Sequence, residues 1–595
     1  MKTRIAISTE ATQTMGMGHL TRMLHLAESL NKDYDFSFFV ITDEESIPIL
    51  DESRFQSQLV NSETCGERIR DFNPQLILVD RRDTDKLFLK ELRKITRIIT
   101  FDNSGNTDYA DRVINALPLA NGMEVPSNYS GLNYLILNDK IQSSVKHYAP
   151  MKTAQILVTF GGSDPGGLSR FVYKIFKELP QDYNVKFVLG PLYSGEQDFS
   201  PYTCIRTNNI FQEISEADIV ITSFGMTVFE SLFIGTHPIV INPTPYHNSL
   251  AKTLDLITNL GVGGTEETID SIQAGLLNVL KNTDIARETY RKSRRYIDNK
   301  GKVRIGKIIS SLLEKPEPEC SVCGEKILRV VSRKEEINKY YCENCGSLCR
   351  DSDYTVRLNY ESHYFVEDYK KQYGKTYLED KSSINKLNEN RLQIIDSLVD
   401  TKRTVKPLLE LGSAMGFFLE KSLEHGYQPE GIEISKYAAS YCKYTAGLNV
   451  TCGDFLKLDY SRPVYEVAAC WYFIEHIQSF QDIIHKIHQV LRDGGIFALS
   501  TPNCEGITGK KNIYSYADRI PDDHYVEFSP RSLTLLLEKY GFKVEKIVST
   551  GVHYERWLDG RNNLFYKNKI AEKIYHKIAD KKHLGDTFEI YARKG

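Results

Sequence analysis

Short apolar runs alternate with amphipathic stretches along most of the chain. In the first 315 residues the runs fall at Arg4–Ser8, Phe36–Thr42, Gln75–Asp80 and Ile98–Asp102, then at Gln155–Phe160, Lys186–Leu189, Ile219–Thr222 and Pro238–Asn242. Runs this short, bounded by turn residues, read as buried strands, and the segments between them carry helical periodicity. Alternation of this kind predicts parallel sheets flanked by helices. Two such blocks predict two α/β domains facing a cleft, a common place for a ligand. The pattern resumes at Leu408–Leu411, with further strands ending at Glu433 and before Gly453-Asp454, then Val467–Ile474 and Ile496–Ser500.

Composition narrows the class. A chain of 595 residues with 41% hydrophobic and 26% charged residues is globular and long enough for several domains. The net charge of −3 gives no basic footprint for nucleic acid or an anionic membrane surface. Ile5–Ser8 is too short for a signal peptide, and no apolar run reaches the length of a membrane span. The expectation is a cytoplasmic multidomain enzyme without stable membrane insertion.

Four of the eleven cysteines are grouped. Cys320-x2-Cys323 and Cys342-x2-Cys345 are separated by eighteen residues, and Gly324 and Gly346 follow the two pairs. Two such knuckles supply four thiolates at tetrahedral reach, which predicts a closed structural Zn2+ ribbon rather than a catalytic metal. A pair of disulfides is disfavoured by the lack of an export signal. Cys349 reads as a bystander. The Pro-rich stretch Glu314–Glu319 before the ribbon reads as a stiff linker.

Leu408–Ser435 has the order strand, glycine-containing turn, helix, strand, acid. Gly412 and Gly416 are expected to let the backbone approach a ligand, and Glu433 to accept ribose hydroxyls. Downstream come Gly453-Asp454-Phe455, Glu475-His476, Leu491-Arg492-Asp493-Gly494-Gly495, Thr501-Pro502-Asn503 and His524–Pro530. This part resembles the class I S-adenosylmethionine (SAM)-dependent methyltransferases, particularly their ubiquinone-biosynthesis-like branch, over roughly residues 395 to 550. The resemblance implies that Glu410, Gly412, Gly416, Glu433 and Asp454 hold SAM. His476 and His524 are the candidate bases, since histidine suits proton removal near neutral pH; either reads equally well as a capping or supporting histidine. Ala414 stands where many members have glycine. Tyr472 is a weaker candidate.

The first half carries three glycine motifs: Gly16-Met17-Gly18-His19-Leu20-Thr21-Arg22, Phe160-Gly161-Gly162-Ser163-Asp164-Pro165, and Ser223-Phe224-Gly225-Met226-Thr227-Val228-Phe229-Glu230. Free amides at a helix start suit a phosphate or sugar oxygen, and His19 suits proton transfer. This half resembles the GT-B superfamily, especially the UDP-sugar hydrolase of the pseudaminic acid pathway and spore-coat polysaccharide proteins. The resemblance implies a catalytic His19, with Gly18, Arg22, Gly161, Gly162, Gly225, Thr227, Glu230 and Asn248 holding a UDP-linked sugar. His247-Asn248 replaces that family's Asn-Gln pair, so the substrate and the choice between hydrolysis and glycosyl transfer stay open.

The expected layout is 1–145 and 146–313 as the two Rossmann-like domains of a GT-B pair, and 314–352 as linker and zinc ribbon. A helical and aromatic connector then covers 353–395, and 396–595 forms a class I methyltransferase domain. Tyr360–Tyr369 in the connector reads either as a lid over the methyl acceptor or as ordinary packing, and Lys567–Lys582 as a solvated basic helix. The order of ribbon and methyltransferase is similar to that of deoxysugar C-methyltransferases. The leading expectation is a bifunctional enzyme of surface-glycan biosynthesis that methylates a sugar or related precursor. Two alternatives are RNA methylation, which the charge disfavours, and a non-catalytic, glycan-binding first half that serves methylation of another small molecule.

Overall fold

The computed structural model describes residues 2–12, 17–118, 125–145, 155–162, 164, 166–179, 183–190, 193–207, 209–281, 284–351, 362–399, 404–459, 463–557 and 569–595. Gly16, Ser163, Pro165, Tyr360, Glu361, Lys567 and Asn568 of the motifs above lie outside the described residues. The chain forms two compact units, one of residues 1–317 with 334–336, the other of 318–333 with 337–595. Among the described residues no helix is long and apolar enough to cross a membrane.

The first unit contains two parallel sheets. One has seven strands in the chain order 3-2-1-4-5-6-7, and the other has six in the order 3-2-1-4-5-6. The central strands are apolar on both faces because helices cover both sides: Leu76–Asp80 and Arg97–Phe101 are buried at every position. The first unit is thus a pair of doubly wound α/β domains.

The domain boundaries in this unit differ from those drawn on the sequence. The helix Gly301–Glu314 packs Ile305, Ile308, Ile309 and Leu312 against Ile5, Ile7 and Phe36 of the first sheet. Leu135, Leu137 and Ile141 in turn join Val220, Val228 and Val240 in the core of the second domain. Each segment crosses over because its apolar stripe matches the other domain's uncovered face, a long-range preference with no local sequence signature.

In the second unit a seven-stranded sheet runs in the order 3-2-1-4-5-7-6 of its own strands. The last in chain order, Thr587–Lys594, is antiparallel to both neighbours, Leu491–Pro502 and Phe542–Thr550. The ribbon is not a separate module. Its strand Leu348–Arg350 pairs with Val526–Glu527 to complete a four-stranded sheet. Cys320, Val322, Leu328 and Tyr340 share one core with Leu409, Phe497 and Phe528. The connector also packs inward. The helix Lys381–Leu398 buries Leu392 and Ile395 against Leu408, Val467 and Tyr591. Phe365 and Tyr377 lie against Phe417 and Met415, with the Tyr377 and Phe417 rings stacked at 5.4 Å.

Candidate active sites

In the second unit the first strand, Pro407–Leu411, delivers Glu410 to its C-terminal end. Glu410 is 3% exposed, and its Oε2, like the hydroxyl of Ser413, has no hydrogen-bond partner among the described residues. Burial pushes the Glu410 carboxyl well above its ordinary range; the charge of Arg391 opposes the shift and that of Glu433 adds to it. Unmet buried groups of this kind at the end of a parallel strand fit a bound ligand that supplies donors.

The turn that follows is held in left-handed conformations at Gly412 (φ 68°), Ala414 (φ 46°) and Gly416 (φ 77°). A Cβ on Gly412 would meet Phe473 at 2.7 Å, and one on Gly416 would meet Leu448 at 2.5 Å. These glycines therefore permit the left-handed backbone conformation and the close chain packing of the turn. Glu433 fixes the same turn, accepting from Ala414 N–H and from Ser435 N–H, both at 2.8 Å. Asp454 caps the next short helix by accepting from Leu456 N–H at 3.0 Å and remains half-exposed. All five sequence-proposed cofactor residues thus fall in the loops and strand ends along one edge of one sheet.

His476 and His524 meet, their ring centroids 4.5 Å apart and nearly perpendicular. The Nδ1 of His476 lies 3.1 Å from Asp523, and that of His524 is hydrogen-bonded to Glu527. Glu527, 2% exposed, also accepts from the Tyr516 hydroxyl at 2.6 Å. Beside them Glu475 is 1% exposed, and burial pushes its carboxyl up to about 7, against the opposing charge of His476. Tyr472 adopts φ 52° at the end of the fourth strand and is 43% exposed. Asp523 and Glu527 had no signal in the sequence beyond their nearness to His524.

The four ribbon sulfurs lie within 4.8 Å of one another, with Cys320–Cys345 at 3.5 Å and Cys323–Cys342 at 3.6 Å. Those gaps are far too long for disulfide bonds of about 2.05 Å. They match the edge of a tetrahedron with Zn–S bonds of about 2.3 Å, roughly 3.8 Å. Gly324 (φ 76°) and Gly346 (φ 77°) donate to the Cys320 and Cys342 carbonyls at 2.8 Å, which closes the two knuckles. Buried Cys349 lies outside this set, contacting Ser321 at 3.1 Å.

In the first unit His19 and Arg22 stand on the helix Gly18–Leu30, opposite the end of the strand Leu76–Asp80. His19 Nδ1 lies 2.8 Å from Asp80, and Arg22 bridges Asp80 and Asp102. Burial alone would raise the pKa of Asp80, but the charges of Arg22 and His19 outweigh it and hold the carboxyl below its ordinary value. An ionised, buried acid on Nδ1 fixes the imidazole tautomer and leaves Nε2 as the proton acceptor. The sequence pointed to His19 and Arg22 by motif, whereas the role of Asp80 emerges only from the fold.

The second domain contributes Gly161, Gly162, Gly225, Thr227 and Glu230. Cβ atoms on Gly18, Gly161, Gly162 and Gly225 would meet nothing within 4 Å, so these backbones face open space. Gly225 precedes the helix Met226–Ile234, which carries Thr227 and Glu230. Glu230 has no hydrogen-bond partner among the described residues, and burial pushes its carboxyl up to about 7. Asn248 is engaged within its own domain, its side-chain oxygen accepting from Asn259 at 2.8 Å. Next to it, Tyr246 carries the Arg82 guanidinium 3.8 Å above its ring, which joins the second domain to the loop just after Asp80.

Residues 385–547 match a family model described as a methyltransferase domain. This segment is a methyltransferase domain. The chain is also 24% identical over 179 residues to the ubiquinone biosynthesis O-methyltransferase of Coxiella burnetii, covering 28% of this chain and 75% of that protein. The region N-terminal to the methyltransferase domain is similar to the spore coat polysaccharide biosynthesis protein SpsG of Bacillus subtilis. That match has 27% identity over 336 residues and covers 52% of this chain and 98% of SpsG. An uncharacterized protein of Methanocaldococcus jannaschii is 30% identical over 281 residues, 42% of this chain. The match spans only 57% of that relative's length. The chain therefore joins a unit similar to SpsG to a methyltransferase domain.

Proposed function

We propose that the chain is a bifunctional enzyme of surface-glycan biosynthesis, in which a SAM-dependent methyltransferase is fused to a unit that cleaves or transfers a UDP-linked sugar. The observation that carries the second activity is the His19–Asp80 pair, 2.8 Å apart, a histidine whose tautomer is set by a buried carboxylate. In this reading Glu230 on the second domain receives ribose hydroxyls, and the open backbones at Gly161, Gly162 and Gly225 receive phosphate oxygens. His19 Nε2 takes the proton from water or from a sugar hydroxyl as UDP leaves. The similarity to SpsG, a spore coat polysaccharide biosynthesis protein, supports the same substrate class.

SAM supplies an activated methyl on its sulfonium. Glu410, Ser413, Glu433 and Asp454 would hold and orient it, and Phe365 and Tyr377, packed with Met415 and Phe417 beside the turn, would help exclude water. The acceptor's nucleophile is received at Glu475, His476 and His524, and the ribbon cysteines hold Zn2+ in a structural role. Labelled SAM incubated with a panel of UDP- and CMP-linked sugars tests the reading. Methylated sugar is expected, and transfer only to a non-carbohydrate acceptor would overturn it. His19→Ala is expected to abolish UDP release; unchanged release would make the first unit a binding module.

A further inference from the structure

We infer that Glu475, His476 and His524 form a second metal site, one that takes a divalent transition-metal ion and keeps coordination positions open. Their three ligand atoms lie within 4.8 Å of one another. Each histidine is backed by a carboxylate on Nδ1, His476 by Asp523 at 3.1 Å and His524 by Glu527. Carboxylate–histidine pairs fix the tautomer so that Nε2 carries the lone pair, and they are the usual outer shell of a metal-bound imidazole. A structure built only for proton transfer needs one such pair; here two converge with perpendicular rings 4.5 Å apart.

The third ligand strengthens the case independently. Glu475 is 1% exposed, and its Oε2 makes no hydrogen bond among the described residues. A buried carboxylate oxygen left unmet is costly, and a cation held jointly with two neutral imidazoles satisfies it. The frame is rigid: Tyr525 N–H donates to the Glu475 carbonyl at 2.8 Å, and Glu527 is registered opposite Leu348 in the ribbon sheet. Two imidazoles and one carboxylate suit Zn, Fe, Mn or Co in the divalent state, and three protein ligands leave room for an oxygen of the acceptor. This differs in kind from the four-thiolate ribbon, which is closed. The role toward the acceptor rests on the methyltransferase reading above, whereas the metal site itself does not.

The test uses the full chain with zinc in the ribbon, titrated with Mn2+ while free Mn2+ is followed by electron paramagnetic resonance. One Mn2+ per chain is expected beyond the ribbon zinc, which elemental analysis counts separately. Glu475→Gln and His476→Ala are expected to abolish this binding, and Asp523→Asn to weaken it by roughly 10-fold. Calorimetry with S-adenosylhomocysteine confirms that each variant is folded, and Asp523→Asn carries the test if His476→Ala is not. No Mn2+ bound by the unaltered chain, or equal binding by the variants, overturns the metal site. Failure of the unaltered chain to bind S-adenosylhomocysteine overturns the methyltransferase reading instead, and the two results are separable.

Discussion

Asp80 illustrates how much of each site depends on a residue that touches no substrate. It is fully buried and holds both His19 and Arg22. Asp80→Asn keeps the shape but can present its amide to His19, which reverses the tautomer. UDP release is expected to fall roughly 100-fold or more, with UDP affinity changed little; an equal loss of affinity would show a merely structural role. Glu230 gives a pH signature. Burial raises its pKa from 4.5 to about 7, so the folded state resists ionisation and loses stability as pH rises from about 4.5 through about 7. Glu230→Gln is expected to gain stability at pH 8, by about 3 kcal/mol at most, and to match the unaltered chain at pH 4, as read by denaturant titration. UDP affinity of the unaltered chain should rise between pH 6 and 8, and this dependence should vanish in the variant. His19 and His476 were legible because their motifs are local. The roles of Asp80 and Asp523 were not, because their partners His19 and His476 are brought in by folding and leave no spacing rule.

At the level of elements, the ribbon and the histidine cluster are mechanically one object. Cys349 is registered opposite Val526, and Leu348 opposite Glu527, while the Cys345 carbonyl accepts from Arg531 Nε at 3.1 Å. Removing zinc should therefore loosen the strand that carries Glu527 and displace His524. A thiol-reactive release of zinc is expected to lower methyl transfer about 10-fold or more while S-adenosylhomocysteine binding, monitored by calorimetry, is retained. Loss of both together would mean that the whole unit had unfolded. Central strands such as Ile219–Thr222 were readable because burial on both faces makes them continuously apolar. The edge strand Gln56–Val60, exposed at four of its five positions, carries no such signal. The strand Thr587–Lys594 was hidden differently: its Glu589 is a charged residue in a buried run, made acceptable by Arg391 at 2.7 Å.

For the molecule as a whole, the sequence blocks and the structural units agree in kind but not at their borders. A fragment ending at residue 300 lacks Ile305, Ile308, Ile309 and Leu312, all buried against the first sheet. At about 2 kcal/mol for each side chain, their loss rivals the entire stability of a typical domain, about 5–15 kcal/mol. Such a fragment is expected to be insoluble or molten by near-ultraviolet circular dichroism, whereas one ending at residue 317 should fold and keep UDP binding.

The helix Gly301–Glu314 also constrains how this protein could have been assembled in evolution. Because it closes the first domain only after the chain has completed the second, an exchange near residue 145 would pair a sheet with a foreign closing helix. The two domains of the first unit are thus expected to be inherited together, with viable crossovers beyond that helix, in the Pro-rich stretch where the methyltransferase half is joined.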